Sequence, residues 1–176
     1  GPALRHQEKY EEAERYFLEA LEGKISWLDR HTGGTKPSWH TRRNLVDLYL
    51  RSGQFAKALP HLEVVLQWRA EEDNSGWRAV RPRGQMGYVL QMLGRFEEAE
   101  EYYLLGLEPR RWFSNTVLDD RGLQGVIIGL IELYVVWDRP EEAEKYRKLL
   151  TNTEQISEHD IFEQRAWSVG GVKALW

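Results

Sequence analysis

Apolar residues recur at spacings of three and four in four stretches of this chain. Residues 9–21 (KYEEAERYFLEAL), 54–66 (QFAKALPHLEVVL), 95–107 (RFEEAEEYYLLGL) and 139–150 (RPEEAEKYRKLL) are versions of one phrase. In the first, Tyr10, Ala13, Phe17, Ala20 and Leu21 make one stripe; in the second, Phe55, Ala58, Leu62 and Val65 do the same. That period belongs to an amphipathic α-helix. Each phrase places an alanine at the same point: Ala13, Ala58, Ala99 and Ala143, separated by 45, 41 and 44 residues. Self-similarity at such a period predicts an array of stacked helical hairpins. Arrays of this kind present long concave surfaces.

The pattern predicts helices over residues 9–28, 38–51, 54–72, 80–93, 95–108, 119–137 and 140–150. Ser38 is the expected N-cap of the second. Gly53 and Gly94 suit left-handed C-caps. Pro82 and Pro140 suit first helical turns. Pro60 lies within the third pattern, as a kink or as a first-turn proline. Residues 31–37, 73–76 and 110–118 read as connectors. Beyond residue 151 the phrase stops. Ser157 and Asp160 could open one more helix, 158–167, carrying Ile161, Phe162 and Trp167. Gly170 and Gly171 then free a tail ending in Leu175 and Trp176. The expected division is a repeat array over 3–150, about three and a half repeats, and a capping helix with tail over 151–176. The opening Gly1–Pro2 resembles the remnant of a protease site and is left out of this reading.

Aligned on the four alanines, the chain resembles tetratricopeptide repeats, in which a leading and a trailing helix form each hairpin. Ala58, Ala99 and Ala143 match that family's small residue at the closest approach of the two helices. Phe55 and Phe96 match the aromatic before it, where Pro140 departs. Tyr49 and Tyr134 match the leading-helix aromatic, which Leu90 replaces. Gly87 matches the small leading-helix residue, where Val46 and Ile131 are larger. The long period is similar to that of kinesin light chain repeats. Arg43–Asn44 stands alone, whereas that subgroup favours asparagine pairs. Sensor proteins of the signal-transducing NTPase class carry similar arrays. The resemblance implies an all-α, right-handed solenoid of helical hairpins, a superhelix with a C-terminal cap. It implies a scaffold that binds a protein or peptide. The first phrase has only Ala3 and Leu4 ahead of it, so the chain is expected either to start within a repeat or to open on a cap.

In such a solenoid the leading helices line the concave face. Their expected groove residues are Arg43, Asp47 and Leu50, then Arg81, Gly84, Tyr88 and Gln91, then Ile128, Glu132 and Val135. Arg43 and Arg81 would take the carboxylates of an acidic segment, since the guanidinium fork binds them bidentately. Tyr88 would add an apolar platform with a polar tip. The same positions read equally as ordinary exposed helix. The carboxylate clamp that captures chaperone C-termini is not expected: Asp47 stands where it needs an amide, and Gly125 and Gly129 where it needs cations.

Charge sharpens this picture. The net charge is −4, unevenly spread: −2 over residues 1–35, +4 over 36–83 and −6 over 84–176. A basic middle suits an acidic partner, although solvated helix faces give the same pattern. An acidic chain is a poor candidate for nucleic acid. There are no cysteines, which removes disulfides and thiolate metal sites and fits an intracellular, cytoplasmic location. No apolar run approaches 20 residues, so no membrane span is expected. The five histidines have no metal-ligand spacing, and no phosphate loop or nucleophile elbow occurs. No enzyme activity, cofactor or metal is therefore expected. Of the eight tryptophans, most should fill gaps between hairpins. Trp176 is the candidate for a contact with a partner or a second copy, and the alternative readings are self-assembly through solenoid ends or that tail, or a sensor repeat domain of a signalling NTPase.

Overall fold

The computed structural model describes residues 2–23, 37–72, 77–108 and 121–151. These hold seven α-helices and one short 3-10 turn, with no strand among the described residues. The helices are α1 (Pro2–Leu21), α2 (Pro37–Arg51), α3 (Phe55–Glu72), α4 (Val80–Met92), α5 (Phe96–Leu107), α6 (Arg121–Val136) and α7 (Pro140–Thr151). The architecture is all-α and built from tetratricopeptide-like helical hairpins, as expected. The expected cap over 158–167, the tail, and Trp27, Trp112, Trp167 and Trp176 lie outside the described residues. So do His31 and His159.

The chain divides into two compact units, residues 1–65 and 66–176, with α3 beginning in the first and ending in the second. In the first unit α1 packs on α2. The start of α3 is tied to α2 through His61, whose ring stacks on Tyr49 at 5.8 Å. In the second unit α4 pairs with α5 and α6 with α7, and α6 also packs on α4 and α5. Arg121 and Glu132 are the only charged residues of α6, and a helix apolar nearly all round belongs in a core. Leu123, Val126, Ile127, Leu130 and Leu133 are accordingly buried.

Three hairpin turns share one geometry. Gly53, Gly94 and Asp138 have φ of 70°, 76° and 58°. The next residue's N–H reaches back to close each helix: Gln54 to the Tyr49 carbonyl (2.9 Å), Arg95 to Leu90 (2.9 Å) and Arg139 to Tyr134 (2.8 Å). This is the Schellman pattern, which needs one left-handed residue. Glycine adopts that conformation without a Cβ clash, and aspartate is among the few residues that also tolerate it.

The limits of two helices, α1 and α2, depart from the expected ones. α1 starts at Pro2, well ahead of residue 9, so Ala3 and Leu4 belong to the same helix as the first phrase. It also stops at Leu21, because Gly23 takes φ 74° and donates to the Ala20 carbonyl at 3.2 Å. α2 begins at Pro37, which puts Ser38 inside the first turn instead of at the cap; the fixed φ of proline favours this position. Pro60 sits exposed in the second turn of α3, and the helix runs through it.

Tyr103 is the wedge of the second unit. It projects from α5 between Gly87 of α4 and Gly129 of α6. A Cβ at Gly87 would lie 2.8 Å from the ring, and one at Gly129 only 2.4 Å from it. The glycines let three helices meet around one aromatic. The tyrosine hydroxyl donates to Gln91 Oε1 at 3.1 Å, which satisfies both buried polar groups.

Candidate interaction surface

The outward side of the leading helices α2, α4 and α6 differs from the expected groove in three residues. Leu50, Gln91 and Ile128 are 5%, 8% and 1% exposed. They belong to the core and cannot meet a partner from their present places. Each has a physical reason. Leu50 sits in the last turn of α2, and its carbonyl caps the hairpin through Gly53. Gln91 is held by Tyr103. Ile128 lies in the middle of the nearly all-apolar α6.

The other expected residues reach the surface to different degrees. Arg43 is exposed, and Asp47, Arg81, Gly84, Tyr88 and Glu132 are half-buried. Arg43 and Asp47 belong to the first unit; the rest belong to the second. Val135 is 53% exposed.

Two neighbours absent from the expected set extend the surface of the second unit. Met92 is 47% and Val136 62% exposed. Met92 follows Tyr88 by one helical turn on α4, and Val136 follows Glu132 by one turn on α6, so each pair shares a helix face. Both residues close their helices at the hairpin turns. The two turns are joined where Phe96, at the start of α5, meets Trp137 with ring centroids 5.8 Å apart. The Arg139 guanidinium lies 3.7 Å from the Trp137 ring centre, a cation–π contact. The signal was available in sequence: Met92 and Val136 stand just ahead of the turns, where a helix end escapes cover. At the opposite end of this hairpin, Arg83 Nη1 donates to the Leu105 carbonyl at 2.8 Å and closes the last turn of α5.

Polar bridges set the stacking behind this surface. Tyr134 of α6 donates to Glu100 of α5 at 2.6 Å. Tyr49 of α2 donates to Glu14 of α1 at 3.0 Å. Each glutamate directly follows a phrase alanine, so the two bonds are repeats of one contact. Burial and the adjacent carboxylate push both phenols well above the ordinary tyrosine range. Glu14 also accepts from Lys57 Nζ at 2.7 Å. Burial alone would raise its carboxyl, but the bonds from Lys57 and Tyr49 outweigh this and hold it below the usual value. His61 is depressed by burial and by Arg42, whose Nη1 lies 3.2 Å from its Nδ1. A guanidinium only donates, so Nδ1 is the acceptor and the ring is neutral with its proton on Nε2.

Among the described residues no group of three or more His, Asp or Glu could hold a metal ion. No described helix is long and apolar enough to cross a membrane. The tetratricopeptide repeat family model matches residues 3–25, and a second tetratricopeptide repeat model matches residues 80–108. No curated protein matches the chain. One match falls in each unit, on helices whose phrase recurs along the chain, so the chain carries tetratricopeptide repeats there.

Proposed function

We propose that this chain is a scaffold that holds a segment of a partner protein against the outward faces of its leading helices. Tetratricopeptide repeats generally mediate protein–protein interaction. The observation that carries the proposal is the exposure of Met92, Val135 and Val136 at the ends of α4 and α6. Exposed apolar residues gathered at one end of a helical pair mark contact surfaces. Tyr88 and Glu132 adjoin them and would orient the segment. In the first unit Arg43 is an exposed cation suited to an acidic side chain, with Asp47 beside it. Taken separately, the second unit would favour a segment with apolar anchors and the first an acidic one. Helices of 18 and 16 residues in α3 and α6 support the likeness to long, kinesin-light-chain-like repeats.

Peptide-display selection against the whole chain, followed by titration of the selected peptides, tests this. Replacing Val135 and Val136 by Glu should weaken binding at least tenfold while leaving the thermal midpoint unchanged. Arg43→Glu should reduce the salt dependence of binding, because exposed ion pairs are screened. Selected peptides that bind the doubly substituted chain as tightly as the parent would overturn the proposal. Self-assembly is the second reading of the same apolar end. Light scattering that finds a monomer at high concentration excludes it.

A further inference from the structure

We infer that the apolar end of the second unit takes a partner segment whose hydrophobic anchors are flanked by lysine or arginine. This rests on the reading of that end as a contact surface and adds the charge of its occupant. Met92 and Val136 hold the same place in successive hairpins, two residues ahead of the left-handed Gly94 and Asp138. Leu93 and Val135 stand beside them, 37% and 53% exposed. α6 packs on α4, and the contact of Phe96 with Trp137 joins the two turns. The four apolar side chains therefore gather at one end of one compact unit.

Charge at that end is one-sided. Residues 92–98 and 135–142 carry Glu97, Glu98, Asp138, Glu141 and Glu142, all exposed, against Arg95 and Arg139. Arg95 is held by Glu98 through two bonds, Nε to Oε1 at 2.8 Å and Nη2 to Oε2 at 2.6 Å. In the next turn Arg139 holds the place of Arg95, and Glu142 that of Glu98, yet the pair is not made. The Arg139 guanidinium lies over the Trp137 ring instead, 3.7 Å from its centre. Among the described residues no cation pairs with Glu97, Asp138 or Glu141. The glutamates stand in the first turns of α5 and α7, where they suit the helix dipoles, but their exposed carboxylates remain at the rim. Their field reaches inward: the Tyr134 phenol, raised by burial and by Glu100, is also raised by Glu142.

A basic flank meets this rim favourably, and an acidic one is repelled. The same rim opposes a second copy at this end. A two-fold contact sets a patch against itself, which here would bring two acidic rims together. The charge thus favours a partner segment over self-assembly.

The test uses labelled synthetic peptides that share one apolar core, leucine–valine–tryptophan–leucine, flanked by lysines, by serines or by glutamates. Their binding to the whole chain is followed by fluorescence anisotropy. The lysine form should bind roughly tenfold tighter than the serine form, with the glutamate form weakest, and its advantage should shrink as salt rises. The chain neutralised by Glu97→Gln, Asp138→Asn and Glu141→Gln should bind the lysine and serine forms within about twofold of each other. Asparagine tolerates the left-handed turn at 138. Val135→Ser with Val136→Ser should weaken all three forms, and neither variant should move the thermal midpoint. Lysine and serine forms that bind alike, both through Val135 and Val136, would overturn the charge assignment and leave the apolar surface standing. No saturable binding by any form would overturn both. Lysine-form binding untouched by the two serine substitutions would be attraction to the acidic chain at large and would overturn the inference. So would a dimer of the chain that competes with the lysine form.

Discussion

α1 and α5 carry the same phrase and are buried very differently. In α5 the alanine is sealed, and Tyr103 fills a slot made by two glycines on two other helices. In α1 the alanine and Phe17 are both only half-buried. The phrase therefore specifies a helix and a face, while the cover over that face comes from a separate helix. Most of the stability of a short helix derives from such packing rather than from propensity. The same residues that form core in one repeat are open surface in another.

The largest expected difference lies at the wedge. Tyr103→Ala should cost about 3–5 kcal/mol in urea unfolding, the usual range for emptying a buried aromatic site. Phe17→Ala should cost less, about 1–2 kcal/mol, because the ring is only partly buried. Equal losses would break the comparison. The bridging tyrosines come next. Tyr134→Phe removes one hydrogen bond and should cost about 0.5–1.5 kcal/mol. Tyr49→Phe should cost less, since Glu14 keeps Lys57 as a partner. A double-substitution cycle with Glu100→Gln would separate the bond from the ring's packing.

The smallest effect is pH-dependent and confined to the first unit. The folded-state value of His61 is depressed below 6.5. Between the folded and unfolded values the unfolded chain binds more protons, so stability rises with pH. The contribution is complete above the unfolded value and is lost as pH falls below it. Thermal midpoints should drop between pH 7.5 and 5.5, and His61→Gln should flatten that slope. Glu14, held below its ordinary value, loses its contribution only at lower pH, as its carboxylate protonates. A slope unchanged by His61→Gln would place the pH response elsewhere.

Much of the fold was legible because its signals are local. The alanine phrase marked each trailing helix, and Gly53 and Gly94 marked the turns at the residues that take positive φ. Gly23 was missed as a stop because an apolar-looking pattern ran on past it. The outward face was legible in direction and less so in depth. Helical spacing put Arg43, Tyr88 and Glu132 toward the outside; Arg43 is exposed and the other two are half-buried. It put Leu50, Gln91 and Ile128 there too, since spacing says where a side chain points and not what packs over it. The uninterrupted run VIIGLI around Ile128 was the available warning. For Gln91 there was none, because its partner Tyr103 comes from another helix. The Tyr–Glu bridges were half visible: both tyrosines stood out, but their carboxylates lie 34 and 35 residues away in sequence.

The absence of cysteine from the chain allows the central comparison to be read directly. Single substitutions Ala13→Cys, Ala58→Cys, Ala99→Cys and Ala143→Cys should be labelled with a thiol reagent under native conditions. The account predicts that the thiol at position 13 reacts within a small factor of the free-thiol rate. The other three should react orders of magnitude more slowly, limited by opening of the fold. Equally slow labelling at all four positions would mean that α1 is covered like its siblings, and would contradict the account.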